Sequence, residues 1–150
     1  MEFNSIQEVL DFAVRQEQKA GRFYGLMAEK STDVVARKFF REMVGEERKH
    51  EAKLKAIKSG KLSGFSGQGT PQMNLTEVLG EPVFREDITL QEGLIIAMRA
   101  EKDAYEMYEG LKAFARDEEL KKILEGLAAE ELEHKARMES IYDQVVQREN

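Results

Sequence analysis

The feature that most constrains this chain is a short pattern used twice, Glu47-Arg48-Lys49-His50 and Glu131-Leu132-Glu133-His134, which takes up both of its histidines. A glutamate followed three residues later by a histidine puts a carboxylate and an imidazole on one helix face, about one turn apart. The copies lie 84 residues apart, and the same offset carries Glu17 onto Glu101 and Tyr24 onto Tyr108. Laying Ser5 to Lys53 over Thr89 to Arg137 gives 14 identities in 49 positions without a gap, among them Arg15/Arg99, Ala20/Ala104, Asp33/Asp117, Glu46/Glu130 and Ala52/Ala136. Such a chain is a duplicated helical hairpin, and its fold class is all-α.

The rest of the pattern supports four helices. Ser5 with Glu8 reads as a capping box, and Ile6, Val9, Leu10, Ala13, Glu17, Ala20, Tyr24 and Met27 follow at helical spacing, predicting a helix from Ser5 to Lys30. Ser31-Thr32-Asp33 supplies turn and N-cap chemistry for a second stripe through Phe39, Phe40, Met43, Glu47, His50, Leu54 and Ile57, with Ser59-Gly60 as a glycine C-cap. Thr89 with Glu92 repeats the capping box before Leu94, Ala97, Glu101, Ala104, Tyr108 and Leu111. After Arg116-Asp117 the fourth stripe runs through Leu120, Leu124, Leu127, Glu131, His134, Met138, Ile141 and Val145. Between the hairpins, Gly64, Gly67, Gly69, Pro71, Gly80 and Pro82 mark a connection with room for one helical turn at Leu75 to Leu79. The expected organisation is one domain over 1–150: hairpin 5–58, crossover 59–88 and hairpin 89–148.

Composition narrows the function classes. A net charge of −6 argues against a nucleic-acid partner, because a phosphate-binding surface needs an excess of Lys and Arg. The longest uncharged apolar run, Leu94 to Met98, is far too short to span a bilayer, and Met1-Glu2-Phe3 is no signal peptide, so no membrane association and a cytoplasmic location are expected. The absence of cysteine removes disulfides, thiolate catalysis and protein-ligated iron–sulfur clusters together. Any metal must be held by nitrogen and oxygen.

Glu17, Glu47, Glu101 and Glu131 occupy core positions of stripes that are otherwise almost wholly apolar. An ionised carboxylate in a core costs several kcal/mol unless it is paired or binds a metal. Glu17 lies 14 residues before Ser31 and Glu47 lies 14 after Asp33, so in an antiparallel hairpin both stand about 21 Å from the turn. Glu101 and Glu131 repeat this, and all four carboxylates can meet at one level. That level permits a twofold axis across the bundle, with the third helix parallel to the second and a connection of about 40 Å. The long linking segment can cover that distance. Four carboxylates and two neutral imidazoles are balanced by two divalent cations. Oxygen and nitrogen donors without sulfur suit iron or manganese, and a glutamate from two helices plus Glu-x-x-His from the other two is the pattern of di-iron carboxylate bundles. In that geometry Glu47 and Glu131 bridge the ions, Glu17 and Glu101 are terminal, and His50 and His134 each bind one ion. Tyr24 and Tyr108, two turns beyond the terminal glutamates, are candidates to hydrogen-bond the site.

With these motifs in place, the chain resembles the ferritin-like superfamily, nearest in pattern to the rubrerythrin di-iron domain. The resemblance covers all four helices and rests on the paired Glu-x6-Tyr and Glu-x-x-His motifs. It implies a ferritin-like four-helix bundle and peroxide or oxygen chemistry at a reducible di-iron centre. Typical rubrerythrins also carry a cysteine-ligated rubredoxin-type iron module, and this sequence has no cysteine. They have a further glutamate three residues after the third-helix ligand, where this sequence has Ala104.

Three functions are in view: an oxidoreductase reducing hydrogen peroxide or dioxygen with electrons from an external donor protein, a ferroxidase for iron storage or transfer, and a structural metal bundle. Neither hairpin holds a complete ligand set, so a homodimer is expected, with exchange of hairpins between chains open to it. Glu46 and Glu130, paired by the repeat one turn before the histidines, read equally as part of the site and as exposed or intrahelical charges. Arg15 and Arg99 read as surface ion pairing, Asp33 and Asp117 as helix caps, and the methionines as core filler.

Overall fold

The computed structural model describes residues 2–67, 69–73, 75 and 85–149. Four helices dominate: α1 Ile6–Lys30, α2 Val34–Gly60, α3 Leu90–Ala113 and α4 Glu118–Glu149, with a 3-10 turn at Leu62–Gly64 after α2. Their N-termini are closed by the side chains the sequence offers. Thr89 and Glu92 form the full reciprocal capping box of α3. Ser5 Oγ accepts the Glu8 N–H at 3.1 Å, but the Glu8 carboxylate takes the N–H of Asn4, one residue earlier than a capping box requires. The repeated aspartates are true caps, Asp33 accepting from Ala36 N–H at 2.8 Å and Asp117 from Leu120 N–H at 3.0 Å.

The end of α2 differs from expectation. Gly60 is the last helical residue rather than a cap, and the chain leaves through Lys61, whose N–H bonds Ile57 O at 2.8 Å with an ordinary negative φ. Among the described residues only Gly69 has the positive φ that favours glycine. The helical turn expected at Leu75 to Leu79 lies, apart from Leu75, outside the described residues.

Residue pairings fix how the helices lie. Tyr24 meets Glu101 and Tyr108 meets Glu17, so α1 and α3 are antiparallel. Glu42 meets Arg137 and Asp33 meets Arg148, so α2 and α4 are antiparallel as well. The hairpins are thus related by a twofold axis across the bundle, and α3 runs parallel to α2. The connection must therefore change ends. It starts beside the base of α4, where Phe65 bridges Ala115 and Gly64 O accepts the N–H of Arg116 at 2.7 Å. Met73 then seats on α3 where Gly110 has no side chain; a Cβ there would stand 2.7 Å from Met73 Cε. At the far end Lys30 Nζ donates to Glu86 O, next to the start of α3.

Two apolar cores fill the bundle. One gathers Leu10, Leu54, Ile57, Leu111, Leu120 and Leu124; the other gathers Phe23, Phe39, Phe40, Met43, Leu94 and Met138. Each such side chain contributes about 1.5–3 kcal/mol on burial. Between the cores lies a buried polar layer of Glu17, Glu47, His50, Glu101, Glu131 and His134, none more than 4% exposed. Among the described residues no helix is long and apolar enough to cross a membrane.

Candidate metal centre

Every helix contributes to the polar layer at its middle. Glu17 comes from α1, Glu47 and His50 from α2, Glu101 from α3, and Glu131 and His134 from α4. Potential ligand atoms of Glu17, Glu47, His50 and Glu131 all lie within 4.8 Å of one another, and so do those of Glu47, Glu101, Glu131 and His134. The two sets share Glu47 and Glu131, the residues expected to bridge, and each has its own terminal glutamate and histidine. Six atoms of this layer have no hydrogen-bond partner: Glu17 Oε2, Glu47 Oε1, both oxygens of Glu131, His50 Nδ1 and His134 Nδ1. An unpartnered buried carboxylate or imidazole is strongly unfavourable, and a cation is the partner that satisfies carboxylates and imidazole nitrogens together. The donor set therefore fits a pair of divalent metal ions.

Surrounding groups orient this set. His50 Nε2–H donates to Glu130 Oε2 at 2.6 Å, which turns Nδ1 inward, 2.8 Å from Glu131 Oε1 and 3.7 Å from Glu17 Oε1 without hydrogen-bond alignment to either. His134 Nδ1 lies 3.8 Å from Glu101 Oε1, and the two rings stack with centroids 5.8 Å apart. The tyrosines act across the twofold axis rather than along their own helices. Tyr24 donates to Glu101 Oε1 at 2.9 Å and Tyr108 to Glu17 Oε1 at 2.5 Å, so each hairpin holds the terminal glutamate of the other. The sequence left Glu46 and Glu130 equally open to a part in the site and to an exposed or intrahelical charge role, and the structure brings Glu130 to His50. The available signal was their place immediately before each Glu-x-x-His in both repeats.

Charge is distributed unevenly over this symmetric frame. Burial lowers the pKa of His50, but Glu131 and Glu17 more than offset that and raise it to about 11. The Glu131 carboxyl is pushed up by burial and by the charge of Glu17, against the pull of His50. His134 is pushed down, by burial and then by the charge of His50. Both tyrosines are raised well above the usual phenol range, chiefly by burial and then by neighbouring carboxylates. They stay protonated, as hydrogen-bond donors, at neutral pH.

The sequence matches the family pattern described as Rubrerythrin over residues 8–142. The chain belongs to the rubrerythrin family. Among solved structures, a Thermotoga maritima protein described as ferritin-like and diiron-carboxylate is 23% identical, with a TM-score of 0.84 over 97% of this chain and 99% of that one. A hypothetical protein from Pyrococcus furiosus is 28% identical, with a TM-score of 0.75 over 96% and 92%. CopM, solved in its Cu(II)-bound form, shares the fold at 12% identity, with a TM-score of 0.71 over 96% and 99%. No curated protein matches the sequence. The ferritin-like bundle expected from the repeat is the fold observed, and this rubrerythrin-family chain carries a candidate metal-binding carboxylate and histidine cluster at its centre.

Proposed function

We propose that this rubrerythrin-family protein is a non-haem di-iron carboxylate oxidoreductase that reduces hydrogen peroxide or dioxygen with electrons from a separate donor protein. The observation that carries the reading is the pair of overlapping, buried ligand sets that share Glu47 and Glu131 and together hold six atoms without a hydrogen-bond partner. Glu17, Glu47 and His50 with Glu131 would hold one ion, and Glu101, His134 and the same two shared glutamates the other. A ferrous pair held by these residues would supply the two electrons that, with two protons, convert hydrogen peroxide to two waters, and a separate donor protein would be the source of replacement electrons.

The chain's own residues prepare the site for this chemistry. Glu130 holds His50 by its outer nitrogen, so the inner nitrogen is presented to the centre. Tyr108 and Tyr24 keep Glu17 and Glu101 from rotating, and their hydroxyls are buried protons one hydrogen bond away from the terminal carboxylates. The leucine and phenylalanine cores above and below exclude bulk water and strengthen each electrostatic interaction in the layer.

Anaerobic loading with Fe(II), followed by hydrogen peroxide or dioxygen, tests the reading. The expected result is two irons per chain, matching the two ligand sets, and one hydrogen peroxide consumed per iron pair, with repeated turnover only when a reductant is supplied. Iron uptake that continues past that stoichiometry on repeated Fe(II) and dioxygen addition would make the protein a ferroxidase instead. Failure of the reduced centre to react with either oxidant would overturn both. Metal analysis of the purified protein distinguishes iron from manganese.

We place the protein in the cytoplasm as a homodimer, eluting near twice 17.2 kDa, with hairpin exchange tested by mixing. A Glu17→Ala/His50→Ala chain refolded with a Glu101→Ala/His134→Ala chain regains one full ligand set only if hairpins are exchanged.

A further inference from the structure

Charge is not spread evenly over the outside of the bundle. The chain as a whole has 23 Lys and Arg against 29 Asp and Glu, but α2 has eight against four, one of which is the buried Glu47. The start of α2 is also where apolar surface is left uncovered. Val34 is 67% exposed and Val35 55%, more than any other large hydrophobic residue among the described ones. With Lys38, Phe39 and, from α4, Arg137 and Ile141, they line a groove between the two helices. Arg137 pairs with Glu42 and covers the Phe39 ring, whereas Lys38 and Arg41, both exposed, form no ion pair among the described residues.

We propose that this surface, Val34 and Val35 rimmed by Lys38 and Arg41, docks the electron donor, and that the donor is a small one-electron carrier protein with an acidic face around its cofactor. The inference rests on the function proposed above and adds to it the docking surface and the charge of the partner. Each docked donor is oxidised by one electron and reduces one ferric ion to ferrous, so two encounters restore an iron pair.

Three observations carry it. An apolar centre with a charged rim is the anatomy of a protein interface, and electron-transfer complexes bury the smallest areas of all, so a pair of uncovered valines suits a brief encounter. The cations at the rim attract an acidic face and repel a basic one. Finally, the patch is joined to the centre by packed side chains. Phe39 lies edge-on to Phe40 with ring centroids 5.6 Å apart, Phe40 stacks on Tyr24 at 5.9 Å, and Tyr24 donates to Glu101 at 2.9 Å. Along α2 itself Phe39 stands eight residues before Glu47, about 12 Å of helix. The surface over the histidines is nearer the centre, but it presents Glu46, Glu130 and Glu133, which repel an acidic partner.

The probe is a plant-type iron–sulfur ferredoxin, a small acidic one-electron carrier. Calorimetry with the iron-loaded protein should show binding that weakens as salt is raised. Lys38→Glu/Arg41→Glu should weaken that binding by about tenfold at low salt, and slow reduction of the ferric centre by ferredoxin by a similar factor, while leaving reduction by dithionite unchanged. Val34→Ser/Val35→Ser should weaken binding but keep its salt dependence, and Glu133→Gln, over the histidines, should change neither. Cytochrome c, a basic carrier, should bind more weakly than ferredoxin. Ferredoxin binding that ignores the double charge reversal, an equal effect of Glu133→Gln, or tighter binding of cytochrome c overturns the inference. So does a valine variant that turns a dimer into a monomer and leaves ferredoxin binding unchanged, since the patch would then join two copies of the chain. If ferredoxin reduces the centre through this surface but the reduced centre reacts with neither hydrogen peroxide nor dioxygen, the proposed function fails and the docking surface stands.

Discussion

The two halves of the centre have the same ligand types at positions 84 residues apart, yet they are held differently. His50 is anchored by Glu130 and raised in pKa, whereas His134 is lowered, and Glu46, the repeat partner of Glu130, lies instead 3.5 Å from Lys49 Nζ. Duplication copies residue positions and therefore the frame. It does not copy charge, because one buried proton changes the field at the neighbouring ring. Glu131 and Glu17 draw a proton to His50, and that charge, added to burial, disfavours a second proton on His134. Without metal, one imidazole does part of the work that cations would do for the whole site.

The largest test of this comparison removes a shared residue. Glu47→Ala or Glu131→Ala should abolish both ions, not one, because each residue belongs to both ligand sets. Metal analysis showing one ion retained per chain would mean that the halves are independent.

Next comes pH. Metal binding must displace the proton of His50, so apparent affinity measured by chelator competition should rise about tenfold per pH unit per displaced proton near neutrality. The metal-free fold should respond in the opposite sense. The His50 pKa rises from 6.5 to about 11 on folding, so its stabilisation is complete below pH 6.5 and fades as pH approaches 11. Glu131, also shifted upward, acts in the same direction. His134, shifted downward, loses stability instead as pH falls below its ordinary range. The metal-free Tm should therefore be lower at pH 9 than at pH 7, and the gap should close when metal is bound. A metal-free Tm that rises over that interval would contradict the assigned proton.

The comparison sharpens at the outer partners. Glu130→Gln should weaken metal binding by about tenfold, the lower end of the effect of losing a carboxylate behind a ligating histidine, and Glu46→Gln by clearly less. Equal effects would show that the asymmetry belongs only to the metal-free protein. The smallest change is expected at the phenols: Tyr24→Phe and Tyr108→Phe should leave metal content nearly intact while altering oxidation kinetics, and by similar amounts. Metal loss as complete as in Glu47→Ala would place the tyrosines among the residues that hold the ions.

How much of this was legible in the sequence follows from the kind of information each feature carries. Helix starts were readable because a cap acts within four residues, as Thr89 with Glu92 and Asp33 with Ala36 show. Gly60 misled because glycine permits a left-handed cap without requiring one, and the chain turned instead into a 3-10 segment. The six layer residues were readable because carboxylates and imidazoles on apolar stripes have few acceptable fates. The partners of Tyr24, Tyr108 and Glu130 were not, since each lies on another helix, 77, 91 and 80 residues away.

The sequence alone determined the four helices, their equal distances from the turns and the chemical types that meet at one level, because periodicity and spacing are properties of a single chain segment. Only the tertiary structure decided which glutamate each tyrosine holds and which histidine is anchored from outside. Those are contacts between helices, set by how two nearly identical hairpins come together and by where, once they are together, a buried charge is least unfavourable.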